Sequence, residues 1–227
     1  MSGVFLAMTS PASLIVSRRT DGLSYDPEFA GQYLSEADPR LGDLIARVGE
    51  FTMRPAPTQS LFAALMRSIV YQQLTGKAAS TILGRATRAC TPRHFPTPRE
   101  LLLVPVQRLR EAGLSAAKTA ALRDLAEKTI DGTVPSLAQI RRMTDQEIIE
   151  RLTLVRGIGP WTVEMLLIFR LGRPDVFPVS DLGVRKGFGL TFRKGKLPDP
   201  AVMLRRGERW RPYRSVASWY LWRALEL

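Results

Sequence analysis

The sequence predicts an all-α protein. Apolar residues recur at helical spacing along most of the chain, several segments open on helix-capping residues, and strand-like alternation is almost absent. Helices are expected at 39–50, 59–73, 77–89, 98–103, 107–112, 116–130, 136–142, 145–155, 160–171, 181–189, 200–208 and 214–225. Ser115 heads Ala116 to Leu122, a run of mostly good helix formers whose first turn its hydroxyl can cap. Thr144-Asp145-Gln146-Glu147 is a capping box, in which hydroxyl and carboxylate each take a free backbone N–H. The loops at 53–58, 91–97, 172–180 and 192–200 hold many of the prolines. Ser13 to Ser17 has the composition of an extended segment but no obvious partner. Residues 1–24 read as a loosely attached leader, and 25–227 as one unit of two lobes, 59–175 against 25–58 with 176–227. Only some 37 residues precede the first expected helix, too few for an additional α/β domain.

Composition narrows the partners. The chain has 227 residues, 45% of them apolar, enough to bury a substantial core. A net charge of +12 and a pI near 10.6 call for a polyanionic partner. No apolar run is long enough to span a bilayer, and no single helix gathers the basic charge on one face. Nucleic acid is therefore favoured over a membrane surface. Cys90 is the one cysteine, which excludes an internal disulfide and a cysteine-held zinc or iron–sulfur site. His94, in a proline-rich stretch, reads as a loop residue. The start of the chain lacks a positive n-region and a clear cleavage site, so a cytoplasmic protein in a cell without a nucleus is expected. A monomer without a cofactor is expected.

Two motifs carry the chemistry. Ile148, Ile149, Leu152 and Val155 form an apolar lead-in at helical spacing, followed by Arg156-Gly157-Ile158-Gly159-Pro160. Gly157 and Gly159 allow backbone angles a Cβ would forbid, and Pro160 suits the first turn of a new helix. Thr162, Val163, Leu166, Leu167 and Phe169 continue that helix. A tight turn leading into a helix presents free N–H groups to a phosphate, and its glycines let another backbone approach. About twenty residues on stands a lone acid in Pro178-Val179-Ser180-Asp181-Leu182-Gly183. From spacing alone, Asp181 is equally an N-cap and a catalytic carboxylate.

The pair, Gly-Ile-Gly-Pro-Trp-Thr and then Phe-Pro-Val-Ser-Asp, resembles the helix-hairpin-helix superfamily of DNA glycosylases, named for that hairpin, a Gly-Pro-rich loop and an aspartate. More narrowly it resembles the 3-methyladenine DNA glycosylase II branch. The resemblance extends over roughly 38–227 and includes Ile69 to Gln73, Lys77 to Ala79, Gly113 to Ser115 with Lys118 and Leu122, and Trp210 to Ser215 ending in Trp222. It implies a two-lobed helical fold with Asp181 at the mouth of the cleft. It also implies that Asp181 stabilises an oxocarbenium-like sugar while water attacks, with Ser180 supplying the cap or holding the carboxylate. Relatives that also cut the strand carry a lysine directly after the hairpin turn, where this chain has Trp161. An indole cannot form a Schiff base, so base removal without strand cleavage is expected. Lys118 and Lys186 are the lysines whose approach to the sugar would undo that expectation.

The same resemblance places Trp161 and Trp222 in the base pocket, where their π-faces suit a cationic alkylated purine. Core packing is the alternative for both. Met165 stands where some relatives have a tyrosine, which leaves the pocket partly aromatic. Glu164, three residues after Trp161, reads as an ion-pair or supporting group more than a second catalyst. Extruding the base requires a wedge, and Gln73 or Leu74, in the loop after the Gln-rich helix end, are the two candidates. DNA contacts are expected from Gly157, Ile158, Gly159, Pro160 and Thr162 of the hairpin. Arg185, Lys186 and Arg214 are expected to add phosphate contacts from a C-terminal segment that holds eleven Lys/Arg against four Asp/Glu. No side-chain metal site is expected, though hairpins of this kind can hold a monovalent cation on their carbonyls. The expected activity is base-excision repair of alkylated bases in duplex DNA. The alternatives are a non-catalytic hairpin binder of damaged or branched DNA, and a glycosylase for oxidised or mismatched bases.

Overall fold

A computed structural model describes residues 22–227. Every regular element among them is helical: α1 Pro27–Ala37, α2 Pro39–Val48, α3 Leu61–Tyr71, α4 Gly76–Cys90, α5 Pro98–Leu103, α6 Val106–Glu111, α7 Ala116–Ile130, α8 Leu137–Ile140, α9 Asp145–Leu152, α10 Pro160–Phe169, α11 Leu182–Phe192, α12 Pro200–Gly207, a 3₁₀ turn Glu208–Trp210, and α13 Arg214–Arg223. Local chemistry starts most of them. Ser115 caps α7, and Thr97, Ser136 and Thr144 close full capping boxes with Glu100, Gln139 and Glu147. The segment Ser13–Ser17, of extended composition, lies outside the described residues, as does the leader up to residue 21. Of its last three residues, Leu23 is buried in the core.

The helix α1 is an addition to the sequence expectation. It begins on a strong signal, Asp26 capping the N–H groups of Glu28 and Phe29 with Pro27 at the first position. Its apolar stripe is thin, with Ala30, Gly31 and Leu34 buried, which hid its period. Other boundaries moved by a few residues. Gly49 ends α2 with φ of +85°, α9 stops at Leu152, and α11 runs on to Phe192.

Helices α3 to α10 pack mainly on one another, with α7 against α3, α5 and α6. Helices α1 and α2 return to pack with α11 and α13. One continuous apolar core joins the two groups, from Leu34 and Leu41 through Leu65, Ile69, Leu122 and Leu125 to Phe188 and Trp210. Within the second group, the buried Asp38 accepts from Arg206 Nε at 2.7 Å and Nη2 at 2.6 Å and from Trp210 Nε1 at 3.0 Å. Burial pushes its carboxyl up, but those donors outweigh it and hold the group below the ordinary carboxylate range. The chain crosses between the groups from α2 to α3 and again from α10 to α11, and the second crossing puts the start of α11 beside α10 and α13.

Candidate active site

Asp181 is the N-cap of α11: its Oδ1 accepts from Val184 N at 2.8 Å. That oxygen also accepts from Trp222 Nε1 at 2.8 Å, and Oδ2 accepts from Trp161 Nε1 at 2.8 Å. The N-cap and functional readings of Asp181 are thus compatible. The cap and two indoles from opposite helix groups fix the carboxylate in one orientation. A carboxylate offers about four acceptor sites. Three hydrogen bonds therefore leave one lone-pair direction on Oδ2 open. Ser180 is exposed and makes no hydrogen bond to the carboxylate, so Asp181 caps its own helix and the expected role of Ser180 falls away.

Both tryptophans meet Asp181 through their ring edges. Trp161 is 46% exposed, too open for a core residue, yet its indole N–H is pinned. Its exposed ring is therefore held in a fixed pose. Trp222 is half-buried, and its ring lies 5.4 Å from that of Phe169 with a 34° tilt. Phe169 was not expected at the site; it joins through Trp222, which α13 brings against α10. Met165, between Trp161 and Phe169 on α10, is half-buried. Gly183 was missed too. A Cβ there would stand 2.7 Å from Trp222 Cδ1 and 3.1 Å from Asp181 Oδ1, so only glycine lets the indole reach the carboxylate.

The hairpin turn 153–159 is held from behind. Ile158 is buried, with its N–H on Val155 O, and Asp124 Oδ2 accepts from Arg156 N at 2.7 Å. Burial raises the Asp124 carboxyl, but the Arg156 N–H and Lys128 bring it below its ordinary value. Gly157 takes φ of +78°, as expected of a turn glycine. Gly159 does not: its φ is −98°, and a Cβ there would meet nothing within 4 Å. Gly159 is the N-cap of α10, and the open space beside its Cα leaves room for an outside group to approach the turn. The N–H groups of Gly157 and Gly159 bond to no other described backbone group, and both residues are exposed with Pro160. Ile158 and Thr162 are corrections. Both side chains are buried, and their N–H groups are spent on Val155 O at 3.1 Å and Gly159 O at 3.0 Å, so neither offers an exposed side chain or a free N–H.

Gln72 at the end of α3 donates from Nε2 to Gly157 O at 2.9 Å, tying the next loop to the hairpin. Lys118 Nζ donates to Val70 O at 2.8 Å and Gln72 O at 2.7 Å, closing the C-terminus of the same helix, and burial lowers its pKa. Beyond this tie, Gln73 adopts φ of +56° and is exposed, and Leu74 is 38% exposed. Both wedge candidates therefore stand at the tip of a braced loop.

The basic segment divides. Arg214 is 12% exposed and bound to Asp175 through Nε at 2.7 Å and Nη2 at 3.0 Å, so its expected phosphate role is withdrawn. Arg185 donates to Pro198 O at 3.0 Å, which turns it inward as well. Lys186, Arg193, Lys194, Lys196 and Arg205 are exposed, and none forms an ion pair with a described residue. Val155 O and Gly157 O of the hairpin each accept one hydrogen bond within the chain, which leaves a second lone pair on each. No group of three or more His, Cys, Asp or Glu among the described residues could hold a metal.

This geometry has relatives. Residues 66–212 match the HhH-GPD superfamily of base excision DNA repair proteins. The chain is 38% identical over 196 residues to DNA-3-methyladenine glycosylase 1 of Schizosaccharomyces pombe, with 86% of each chain covered. A solved structure of the fission-yeast 3-methyladenine DNA glycosylase in complex with abasic DNA superposes with a TM-score of 0.76 at 38% identity, covering 88% of this chain and 97% of that one. A DNA-3-methyladenine glycosidase from Bacillus halodurans gives a TM-score of 0.79 at 34% identity, covering 86% and 88%. With a hairpin turn, a crossing between helix groups and an aspartate at that crossing all in place, the chain belongs to the HhH-GPD superfamily of base excision DNA repair proteins.

Proposed function

We propose that this protein removes alkylated bases from duplex DNA by hydrolysing the N-glycosidic bond and leaves an abasic site uncut. The observation that carries the reading is the Asp181 carboxylate, clamped by Trp161 Nε1 and Trp222 Nε1 with no lysine in contact. Its charge and its remaining lone pair face the cleft, where a positively charged sugar develops as the base departs. Lone-pair direction on Oδ2 also suits it to orient the attacking water. Purines alkylated at N3 or N7 already carry positive charge and leave readily, so the chemistry asks mainly for charge stabilisation and positioning. The indole face of Trp161 offers such a base a stacking surface. The relatives named for 3-methyladenine support the substrate class.

Lys118 supports the absence of strand cleavage, since its ammonium is committed to two backbone carbonyls. Lys186 is exposed on α11 and makes no contact with Asp181. A non-catalytic hairpin binder would have no use for a carboxylate held by two indoles. The protein acts as a monomer in this reading, in the cytoplasm of a cell without a nucleus. The test is chromatography of bases released from methylated duplex DNA, run beside a borohydride trapping assay and a nicking assay. Free 3-methyladenine or 7-methylguanine, with no trapped complex, is expected. A trapped adduct with strand cleavage proportional to enzyme would establish a Schiff-base lyase instead.

A further inference from the structure

Glu164 lies one turn after Trp161 on α10, on the neighbouring strip of the same helix face. The ion pair expected from sequence is absent among the described residues. Instead Glu164 Oε2 is buried without a hydrogen-bond partner. An unpaired buried polar atom costs about 1–3 kcal/mol and is uncommon in a folded protein. Its surroundings add to that cost. Burial first, then the negative charge of Asp181, push its carboxyl up to about 7. Asp181, at the start of α11, is the charged group that acts on it, and the indoles that hold Asp181, Trp161 on α10 and Trp222 on α13, do not titrate in this range. The cleft of a protein with net charge +12 thus gathers two carboxyls and three aromatic rings, Trp161, Phe169 and Trp222. Such a place is unfavourable for an anion and favourable for a cation.

We propose that Glu164 is a specificity-determining residue, which takes its missing hydrogen bond from an N–H of the extruded base and selects positively charged bases over neutral ones. The proposal rests on the base-excision reading above. A cationic base entering the cleft offsets the repulsion between the two carboxyls, and Glu164 gives up its proton to solvent as the base binds. A neutral base brings no such compensation. Ionised Glu164 is then the form that receives the substrate, and the conserved shape of glutamine cannot replace its charge.

The experiment measures single-turnover release of 3-methyladenine from methylated duplex DNA between about pH 5.5 and 8.5. For wild type, kcat/KM should rise with pH along a limb near the pKa of Glu164. Glu164→Gln should lose that limb and at least about tenfold of the rate at the alkaline end, while binding abasic duplex as wild type does. Glu164→Asp should keep the limb. On hypoxanthine in the same duplex, a neutral base, the Gln variant should be no slower than wild type. A limb that persists in Glu164→Gln, a wild-type profile without one, or an equal fall on both bases overturns the role of Glu164. Failure of the wild type to release any methylated base overturns the proposed function itself, and is a different result.

Discussion

At the residue scale, the site depends on how few positions hold one carboxylate still. Asp181 alone would be an ordinary helix cap; Trp161 and Trp222 turn it into an oriented charge. Gly183 permits this by leaving room for the Trp222 indole. Gly183→Ala should displace that ring, cost the charged hydrogen bond, and slow single-turnover base release by about 10–100-fold. Circular dichroism should show native helicity; a variant with the wild-type rate would mean that Trp222 does not orient Asp181. Glu164 makes a second prediction, about stability. Its carboxyl titrates at about 7 in the folded chain against a reference value of 4.5. A raised pKa means that the folded state holds the proton more tightly. The contribution is therefore full below about pH 4.5 and is lost as pH rises through about 7. Thermal unfolding of Glu164→Gln should gain on wild type across that window, and parallel Tm curves would contradict the burial argument. Asp181 and Trp161 were legible in sequence because the motif names them. Gly183 and Phe169 were not, since their roles arise from the approach of α13, some forty residues further along the chain.

At the element scale, the hairpin and the loop after α3 behave as one braced unit. Gln72 joins the end of α3 to Gly157, and Lys118 of α7 closes the same helix end. The strained Gln73, at φ +56°, is held by this bracing, since such a conformation costs a non-glycine residue roughly 1–2 kcal/mol. Lys118→Met frees the Val70 and Gln72 carbonyls. It should lower base release from duplex DNA by about tenfold or more, while sparing release from single strands, where no base needs extruding. Equal losses on both substrates would show that Lys118 supports the catalytic pocket rather than the loop. Helix caps made α7 and α9 readable from sequence, because Ser115 and Thr144 act within their own first turns. The strip of α1 was less visible: alanine and glycine fill its buried face, and small residues give a weak periodic signal. Inward-facing Ile158 and Thr162 escaped for a related reason. A turn motif points to a phosphate site, but which of its groups point outward depends on what packs behind it.

At the scale of the whole molecule, the basic charge is spread unevenly. The net charge of +12 reads from composition, but its distribution does not. Arg206 and Arg214 spend their charge on Asp38 and Asp175, inside the second helix group. Lys186, Arg193 and Lys196 remain exposed. Lys186→Ala should therefore weaken DNA binding uniformly and reduce the slope of log K against log salt by about 1. Arg214→Ala should lower Tm and leave that slope unchanged in whatever fraction stays folded. A reduced slope for Arg214→Ala would mean that its pairing with Asp175 gives way to phosphate on binding. The division into helix groups matters most for Asp181, which stands where they meet and takes one indole from each. The most direct measurement of the account is single-turnover base release by Asp181→Asn on methylated duplex DNA, with affinity for the same duplex measured in parallel. The amide keeps the shape and loses the charge, so the rate should fall by about 10²–10³ with binding retained. A variant that releases bases at close to the wild-type rate would remove Asp181 from the mechanism and contradict the account.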